Sequence, residues 1–480
     1  MSAVQEESVR APRDEAPYTL DQPAPRVLGF WDQSAFWANL GVSLLAFSGA
    51  YTVLAPTEDG RPTISITAGI TAMIVGTLIG GLMLGLAAVP GARTGQPAMV
   101  LLRGLFGARP SYLPTVLNIA QLVGWGTFEL ITIAGAARAL YDGVPRWAYV
   151  VAAGVITTVL TIWPLGSVRL LRRYVTVAVC LALVYFYIQL LHVTVAVCLA
   201  LVYFYIQLLR EPLPDLNQGS WGGFWIGADA ALAVSISWVP VAADYTRHSR
   251  TQRAAFGSAA VGYSVTQIIA YVLGLFALAL VAGDSSRIYD PFLHVTLGAL
   301  VFAVFVLREA DQSFANVYST AVSIQNLVPR ADRRVLSVAL GVLITVLALA
   351  LDINDYASFL SLIGSVFVPM LGVLAADFFL GSGRRGWDTG RSAPARWNMI
   401  VAWLVGIAVY QLINPGTVAH WTDLWQDVQR SLHFTPASWM SASLFSFLAA
   451  AAAALLLKPL GRRSGSGSGS ASGPRSDAAA

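Results

Sequence analysis

Apolar runs follow one another along most of the chain, and the short segments between them carry most of the charged residues. A run of about 20 apolar residues crosses a bilayer as an α-helix, which satisfies its backbone hydrogen bonds within the segment. The pattern predicts an all-α integral membrane protein with twelve spans. We place them at residues 30–54, 64–90, 112–140, 146–165, 168–209, 224–246, 256–282, 300–326, 335–353, 356–380, 397–414 and 437–457.

Composition and charge distribution support this interpretation. Hydrophobic residues make up 56% of the chain and charged residues 12%, which is about half the charged fraction of ordinary globular domains. With the N-terminus in the cytoplasm, most of the 30 Lys and Arg residues fall in cytoplasmic loops, as the positive-inside rule requires. We therefore expect a multi-pass protein of the cell membrane (plasma or inner membrane) with both termini in the cytoplasm.

The same pattern divides the chain into three regions. It predicts a cytoplasmic tail at residues 1–28, a transmembrane domain at 29–458, and a disordered Gly/Ser-rich tail at 459–480. Within the fifth span the segment Val175–Leu191 recurs identically as Val193–Leu209. An additional crossing would move most of the later basic loops outside, so we expect one copy to span the membrane and the other to extend, kink or lie at the interface.

The eighth span carries charges that a bilayer-spanning helix rarely has. Arg308, Glu309 and Asp311 fall near its middle, where each charge costs several kcal/mol unless it is paired or faces a wet cavity. Arg308 and Asp311 are three residues apart on one helix face, which allows an ion pair that locks helices together. The alternative is a proton or cation site beside a second polar line, formed by Glu309, Ser313, Asn316 and Thr320.

Two other spans are interrupted by small or helix-breaking residues. The first span contains the sequence LLAFSGA at Leu44–Ala50, and the sixth contains VSISWVP at Val234–Pro240. Because the two spans are five apart, they correspond in two five-helix halves of opposite orientation, and such paired interruptions mark transporter binding sites. The alternative is ordinary kinking, which is common in membrane helices.

The third span carries a polar face made of Gln121, Trp125 and Glu129, at positions i, i+4 and i+8 of one helix. An amide that donates and accepts, together with a flat indole, suits a planar heteroaromatic ligand that forms hydrogen bonds. The alternative is that Gln121 joins this helix to a neighbouring helix.

Several classes of protein lack support in the sequence. Cys180 and Cys198 lie in apolar segments, and the five histidines are scattered, so we expect no metal site, no cofactor and no disulfide framework. The chain has neither a phosphate-binding GxxxxGK[ST] loop nor HExxH, which argues against an ATP-driven pump and a zinc protease; we expect no enzyme. Asp244 and Asp377 end the sixth and tenth spans, as anchors at the headgroup level or as parts of a gate.

Several short segments, in order across residues 30–380, resemble the nucleobase–cation symporter family of the purine–cytosine permease type. They are Gly91–Gly95, Leu102–Arg103, Phe106–Gly107, Val123–Trp125, Ala243–Arg247, Asn316–Thr320, Pro369–Gly372 and Ala376–Asp377. The resemblance implies a five-plus-five inverted-repeat (LeuT-like) fold, with repeats at about 30–209 and 224–380 and extra helices at 397–457. It also implies symport of a purine or pyrimidine base with H+ or Na+, in a bilayer and without nucleic acid as a partner.

The resemblance also implies the residues of a substrate pocket. The base would stack on Trp125 and be held by unwound parts of the first and sixth spans. The expected contacts are Phe47, Ser48, Gln121, Trp125, Ser235, Ser237, Trp238, Gln312, Ser313 and Asn316. A carrier of the same fold for a related heterocycle (hydroxymethylpyrimidine, allantoin), an amino acid or an amine is the alternative.

The coupling site departs from the pattern of sodium-coupled members. A sodium ion would be bound by Gly41, Leu45, Asp311 and Gln312, but the guanidinium of Arg308 would repel it or replace it. We therefore hypothesise proton coupling with Asp311 as carrier and Arg308 tuning it, and we include Glu129 among the coupling residues.

Overall fold

The computed structural model describes residues 26–54, 63–162, 202–210, 219–328 and 331–458. The described chain is helical apart from two isolated bridges, Leu28 with Ser249 and Ile64 with Ser220. Its main helices are α1 (Phe30–Leu40), α2 (Leu44–Val53), α3 (Ile66–Thr94), α4 (Ala98–Phe106), α5 (Tyr112–Leu140), α6 (Arg146–Ile162), α7 (Phe224–Ile236), α8 (Ala242–Thr246), α9 (Gln252–Leu280), α10 (Asp290–Leu293), α11 (Gly298–Leu327), α12 (Arg333–Ala350), α13 (Tyr356–Leu380), α14 (Trp397–Ile413), α15 (Trp421–Ser431) and α16 (Ala442–Leu456).

The helices coincide with the predicted spans to within a few residues, except in the fifth span, which falls mainly outside the described residues. Five of the described helices are long and apolar enough to cross a membrane, and the bent pair α1–α2 makes a sixth. Four shorter apolar helices are α6, α12, α14 and α16. The all-α fold is confirmed, whereas the number of twelve crossings stays a prediction. The first copy of the duplicated segment and most of the second also lie outside the described residues, as does the tail at 459–480.

Helix α3 packs closely against α7 and α9 through glycines. A Cβ on Gly76 would lie 2.0 Å from the Ala228 carbonyl oxygen, and one on Gly81 would lie 1.9 Å from the Ser264 hydroxyl. Small residues let helix backbones approach in this way, which favours association where lipid gives little hydrophobic driving force. Helices α7 and α9, with the α1–α2 pair, contribute side chains to a central cavity.

Helices α5, α6, α11 and α12 pack against one another, and of these α5 and α11 reach the cavity. Gly154 of α6 faces Thr345 of α12, and Gly341 of α12 faces Thr158 of α6; an added Cβ would lie 2.0 Å and 1.9 Å from the respective threonine hydroxyls. Farther along the same interface, Arg146 donates to the carbonyls of Ala348 and Leu351. The two helices therefore run antiparallel in close contact.

The first span breaks at residues 41–43, where α1 and α2 meet at 59°. Our predicted position, Leu44–Ala50, is wrong, because these residues lie in the regular turns of α2. Ser43 starts that helix: its side chain accepts a hydrogen bond from the Leu45 N–H. Gly49 has a different role, since a Cβ there would lie 2.7 Å from the Tyr356 ring, so this glycine permits close packing.

The sixth span is interrupted where predicted, but its backbone forms a tighter 3₁₀ turn instead of an unwound segment. Helix α7 ends at Ile236, a 3₁₀ turn follows at Val239–Val241, and α8 continues the span. Trp238 keeps helical backbone angles, with φ −82° and ψ −15°. Pro240 lacks an N–H, which favours the end of a regular α-helix here.

Candidate functional site

A central cavity lies at the level of the two interruptions. Its walls come from α1, α2, α5, α7, α9, α11 and α13 and from the two breaks. It is lined by Leu40, Gly41, Ser43, Leu45, Ala46, Leu122, Trp125, Glu129, Val234, Ser237, Trp238, Tyr263, Gln267, Tyr271, Gln312, Asn316 and Tyr356. The cavity is thus mostly apolar and aromatic, with a small number of polar groups, as in small-molecule sites.

Trp125 is held in the cavity wall by aromatic neighbours on α13. Tyr356 and Phe359 pack against its indole at centroid distances of 5.8 Å and 5.3 Å, both edge-on. The indole N–H is buried and has no hydrogen-bond partner among the described residues. Glu129 lies one turn farther along the same face and is 3% exposed. The third span therefore presents an indole with a free donor and a carboxylate to the cavity.

Gln121 does not line the cavity and instead joins two helices, the alternative considered from the sequence. Its Nε2 donates to the Asn118 side chain and to the Ser237 carbonyl, both at 2.9 Å. A carbonyl at an interrupted helix needs such a donor, because the regular intrahelical bond is missing. Gln121 therefore fixes the backbone of the sixth span beside the cavity.

The polar side chains of the sixth span are mostly satisfied within the protein. Ser235 donates to Gln267 at 3.0 Å, and the Ser237 hydroxyl donates to the Val234 carbonyl at 2.6 Å. The Trp238 indole N–H donates to the Tyr263 hydroxyl at 3.1 Å. These bonds orient Trp238 in the wall of the cavity and tie the interruption to α9.

The break of the first span is bound by α11 through Glu309 and Gln312. The Glu309 carboxylate is 1% exposed and accepts from the Ser43 hydroxyl at 2.5 Å. It also accepts from the N–H groups of Leu44 at 2.9 Å and Leu45 at 3.3 Å. Gln312 donates from Nε2 to the Val42 carbonyl at 2.8 Å. An acceptor and a donor on α11 therefore satisfy both kinds of backbone group exposed by the break.

The cavity brings together eight of the predicted site residues: Gly41, Leu45, Trp125, Glu129, Ser237, Trp238, Gln312 and Asn316. Four others have described side chains but do not line it. The Phe47 ring stacks on Phe292 at 5.1 Å, Ser313 accepts a hydrogen bond from Thr157, and Gln121 and Ser235 are bonded as above. The backbone of Ser48, Arg308 and Asp311 is helical, but their side chains lie outside what the structure describes.

The sequence reasoning missed several residues of the cavity wall. Tyr263, Gln267 and Tyr271 come from α9, and Tyr356 comes from α13. The three residues on α9 stand at i, i+4 and i+8, the same spacing that drew attention to Gln121, Trp125 and Glu129. That spacing was a usable signal. Ser43 was missed because the predicted break, Leu44–Ala50, begins three residues later than the observed break at 41–43.

An aromatic cluster adjoins the cavity wall at Trp238 on the side of α4, which is the predicted cytoplasmic side. The Tyr245 ring packs against Phe36 at 4.6 Å and against Trp37 at 6.1 Å, and Trp37 packs against Trp238 at 6.5 Å. Gln33 donates to the Tyr245 carbonyl at 3.2 Å. The inner ends of the first and sixth spans are therefore in direct contact.

Asp377, at the end of α13, is the centre of a buried polar cluster on the same side. Its carboxylate accepts two hydrogen bonds from Arg396, both at 2.9 Å, and others from Trp387 at 2.7 Å and Ser382 at 2.8 Å. Arg396 also donates to the Gly104 carbonyl of α4 at 2.8 Å. Asp244 similarly accepts from the Ala98 N–H at the start of α4. Both carboxylates therefore fasten α4 to the helix bundle.

No group of three or more His, Cys, Asp or Glu residues that could hold a metal ion occurs within the described ranges. The predicted sodium ligands Gly41, Leu45 and Gln312 do come together at the break. The Gln312 side chain, however, turns its Nε2 donor to the Val42 carbonyl there.

Comparison with known proteins decides the family. Residues 63–420 match the family model described as "Permease for cytosine/purines, uracil, thiamine, allantoin", which is well over half of the chain. The chain belongs to this permease family. The permease is 24% identical over 339 residues to the cytosine permeases of Escherichia coli O157:H7 and of strain K12, covering 68% of this chain and 74% of each relative.

Solved structures confirm the LeuT-like transporter fold of the permease. Mhp1, a nucleobase-cation-symport-1 family transporter in a closed conformation with bromovinylhydantoin bound, superposes with a TM-score of 0.66 at 17% identity, covering 94% of this chain and 95% of that chain. MhsT in complex with L-phenylalanine gives 0.51 at 14% identity, covering 89% and 98%. The permease is thus a multi-pass, nucleobase-type membrane transporter whose relatives are permeases.

Proposed function

We propose that this permease is a secondary active symporter that imports a purine or pyrimidine base of the cytosine or purine type with H+ or Na+, by alternating access. The cavity beside the two interrupted spans carries the proposal, because it combines the Trp125 indole with amide groups. A flat aromatic surface binds a planar ring, and amides read its donors and acceptors. The proposed location is the cell membrane, with both termini in the cytoplasm.

The proposed recognition divides among the residues that line the cavity. The indole face of Trp125 stacks on the base, while Gln312 and Asn316 contact its polar edge. The carboxylate of Glu129 can only accept hydrogen bonds when ionised, so it favours a ligand that presents N–H donors. Ring N–H and exocyclic amino groups of nucleobases meet this requirement.

A second group of residues acts indirectly in this proposal. Gln121 and Ser235 hold the backbone of the sixth span, Ser313 contacts α6, and Phe47 packs behind the cavity. We keep Ser48 as a predicted contact from the first span. Substitution of these residues should change the shape of the site without removing a direct contact.

An amino acid is a weaker candidate substrate for the permease. Its carboxylate needs an anion site, which carriers of this fold provide at half-helix N-termini. Here the N–H groups of Leu44 and Leu45 at the start of α2 already bind Glu309. This contact supports a neutral ring over an amino acid, and leaves hydroxymethylpyrimidine and allantoin as the related alternatives.

The proposal is tested by uptake into proteoliposomes that contain the full chain. Labelled cytosine uptake is measured with adenine, hypoxanthine, uracil, allantoin or an amino acid as competitor, with and without a sodium gradient and a pH gradient. Competition by at least one base, together with accumulation driven by either gradient, is the expected result. Uptake of an amino acid with no competition by any base would overturn the proposal.

A further inference from the structure

The break in the first span faces Glu309 and Gln312 of α11. A helix that starts inside a membrane exposes N–H groups that need acceptors, and its N-terminus carries a partial positive charge. At α2 these needs are met by Glu309, which binds the N–H groups of Leu44 and Leu45 and the hydroxyl of Ser43. The break is therefore bound by an anion that belongs to the protein.

One carbonyl of the break, that of Val42, is also occupied. A sodium ion binds oxygen atoms, including backbone carbonyls that a broken helix leaves free. Here the Val42 carbonyl accepts the Nε2 donor of Gln312 at 2.8 Å. A cation at this carbonyl would meet the positive end of the amide dipole and the N–H groups of α2. The described groups that converge on the break, the N–H groups of Leu44 and Leu45 and the Nε2 of Gln312, are hydrogen-bond donors, which suit an anion and do not fit sodium.

We propose that Glu309 and Gln312 of α11 serve as built-in ligands of the first-span break, in place of a sodium ion. Substrate binding then does not depend on sodium. Glu309 is a positioning residue in this arrangement: it fixes the start of α2, and with it Leu45 and Ala46 in the cavity wall. The inference deepens the proposed function, on which it rests, by excluding sodium as the coupling ion at this break.

Sodium binding can be tested without any substrate. The full chain is purified in detergent, and its Tm is measured in sodium chloride and in choline chloride at equal ionic strength. An ion present at about 100 times its Kd raises Tm by a few degrees. We expect the same Tm in both salts. A rise specific to sodium would overturn the inference, whatever the protein transports.

Removal of the carboxylate tests what kind of ion the break accepts. Glu309→Ala should lower Tm and leave a gap that faces the N–H groups of Leu44 and Leu45. Formate, a small carboxylate, should restore part of the lost Tm, whereas sodium should not. Glu129→Ala is the matched control, because it removes another buried carboxylate, one in the middle of α5. Formate should not restore the Tm of this variant. Sodium rescue of Glu309→Ala, or equal formate rescue of both variants, would contradict the inference.

A second variant keeps the test decisive if Glu309→Ala does not fold. Glu309→Gln fills the same space and retains one acceptor oxygen, so we expect a lower Tm that neither formate nor sodium changes. A sodium-specific rise in this variant would count against the inference. Cytosine binding separates the two proposals: sodium-dependent binding contradicts only this inference, whereas the absence of binding by every base contradicts only the proposed function.

Discussion

The contact between Asp377 and Arg396 allows a quantitative prediction. The Asp377 side chain is 1% exposed, and Arg396 supplies two of its hydrogen bonds. Arg396→Ala would leave a buried carboxylate without its cation and the Gly104 carbonyl without that donor. Breaking a buried pair in this way costs about 3–5 kcal/mol, and we place the loss near 3 kcal/mol because Trp387 and Ser382 still donate to Asp377.

The loss is measured as the change in the free energy of unfolding of the purified chain in mixed detergent micelles. The chain supplies its own control in Arg287 and Asp290, an ion pair with side-chain exposures of 60% and 34%. Arg287→Ala should cost no more than about 1 kcal/mol, since exposed pairs are solvated and screened. The reasoning is refuted if both substitutions cost the same, or if a double-mutant cycle of Arg396→Ala with Asp377→Asn gives no coupling energy.

Three further predictions concern the cavity, the sixth span beside it and the start of α16. Trp125→Ala should raise the half-saturation concentration for cytosine by up to about tenfold, because a lost aromatic stack costs roughly 0.5–1.5 kcal/mol beyond buried area; Trp125→Phe should recover most of this loss in uptake assays. Gln121→Leu should cost about 1–3 kcal/mol of unfolding free energy and weaken cytosine binding, since the buried Ser237 carbonyl loses a donor; unchanged binding would contradict this role. Asp229→Ala should cost about 0.5–2 kcal/mol in denaturation, because this carboxylate accepts from Ser441 and from the Ala442 N–H at the start of α16; no loss of stability would contradict it.

The helical fold could be predicted from the sequence because each span has to satisfy its own backbone within the lipid. Each span therefore needs a long apolar run, and because these runs are visible in the sequence, the described helices match the predicted spans closely. The position of the first break could not be found in the same way. Gly49 has the signature of an interruption, but whether a glycine bends a helix or admits a neighbouring ring depends on Tyr356, which is distant in sequence.

The site was predicted where a pattern lies on one helix and missed where it depends on several. Trp125 and Glu129 were found from their spacing on α5, and Gln312 and Asn316 from the polar face of α11. The role of Glu309 was not foreseen, because the sequence shows a carboxylate in the eighth span but not the helix start of α2 that it meets. Gln121 was predicted to contact the ligand because it lies on the same face of α5. In the structure its amide donates to the Ser237 carbonyl of the sixth span instead.

The paired glycines and threonines of α6 and α12 have a consequence for movement during transport. Each threonine hydroxyl also donates to the carbonyl of the glycine one turn before it, Thr158 to Gly154 and Thr345 to Gly341, so the side chains that fill the opposite glycines are themselves held in place. Sliding the helices past one another by one turn would drive these threonines against larger side chains. The two helices should therefore travel as a single rigid unit, and any opening of the cavity must take place along the other helix interfaces.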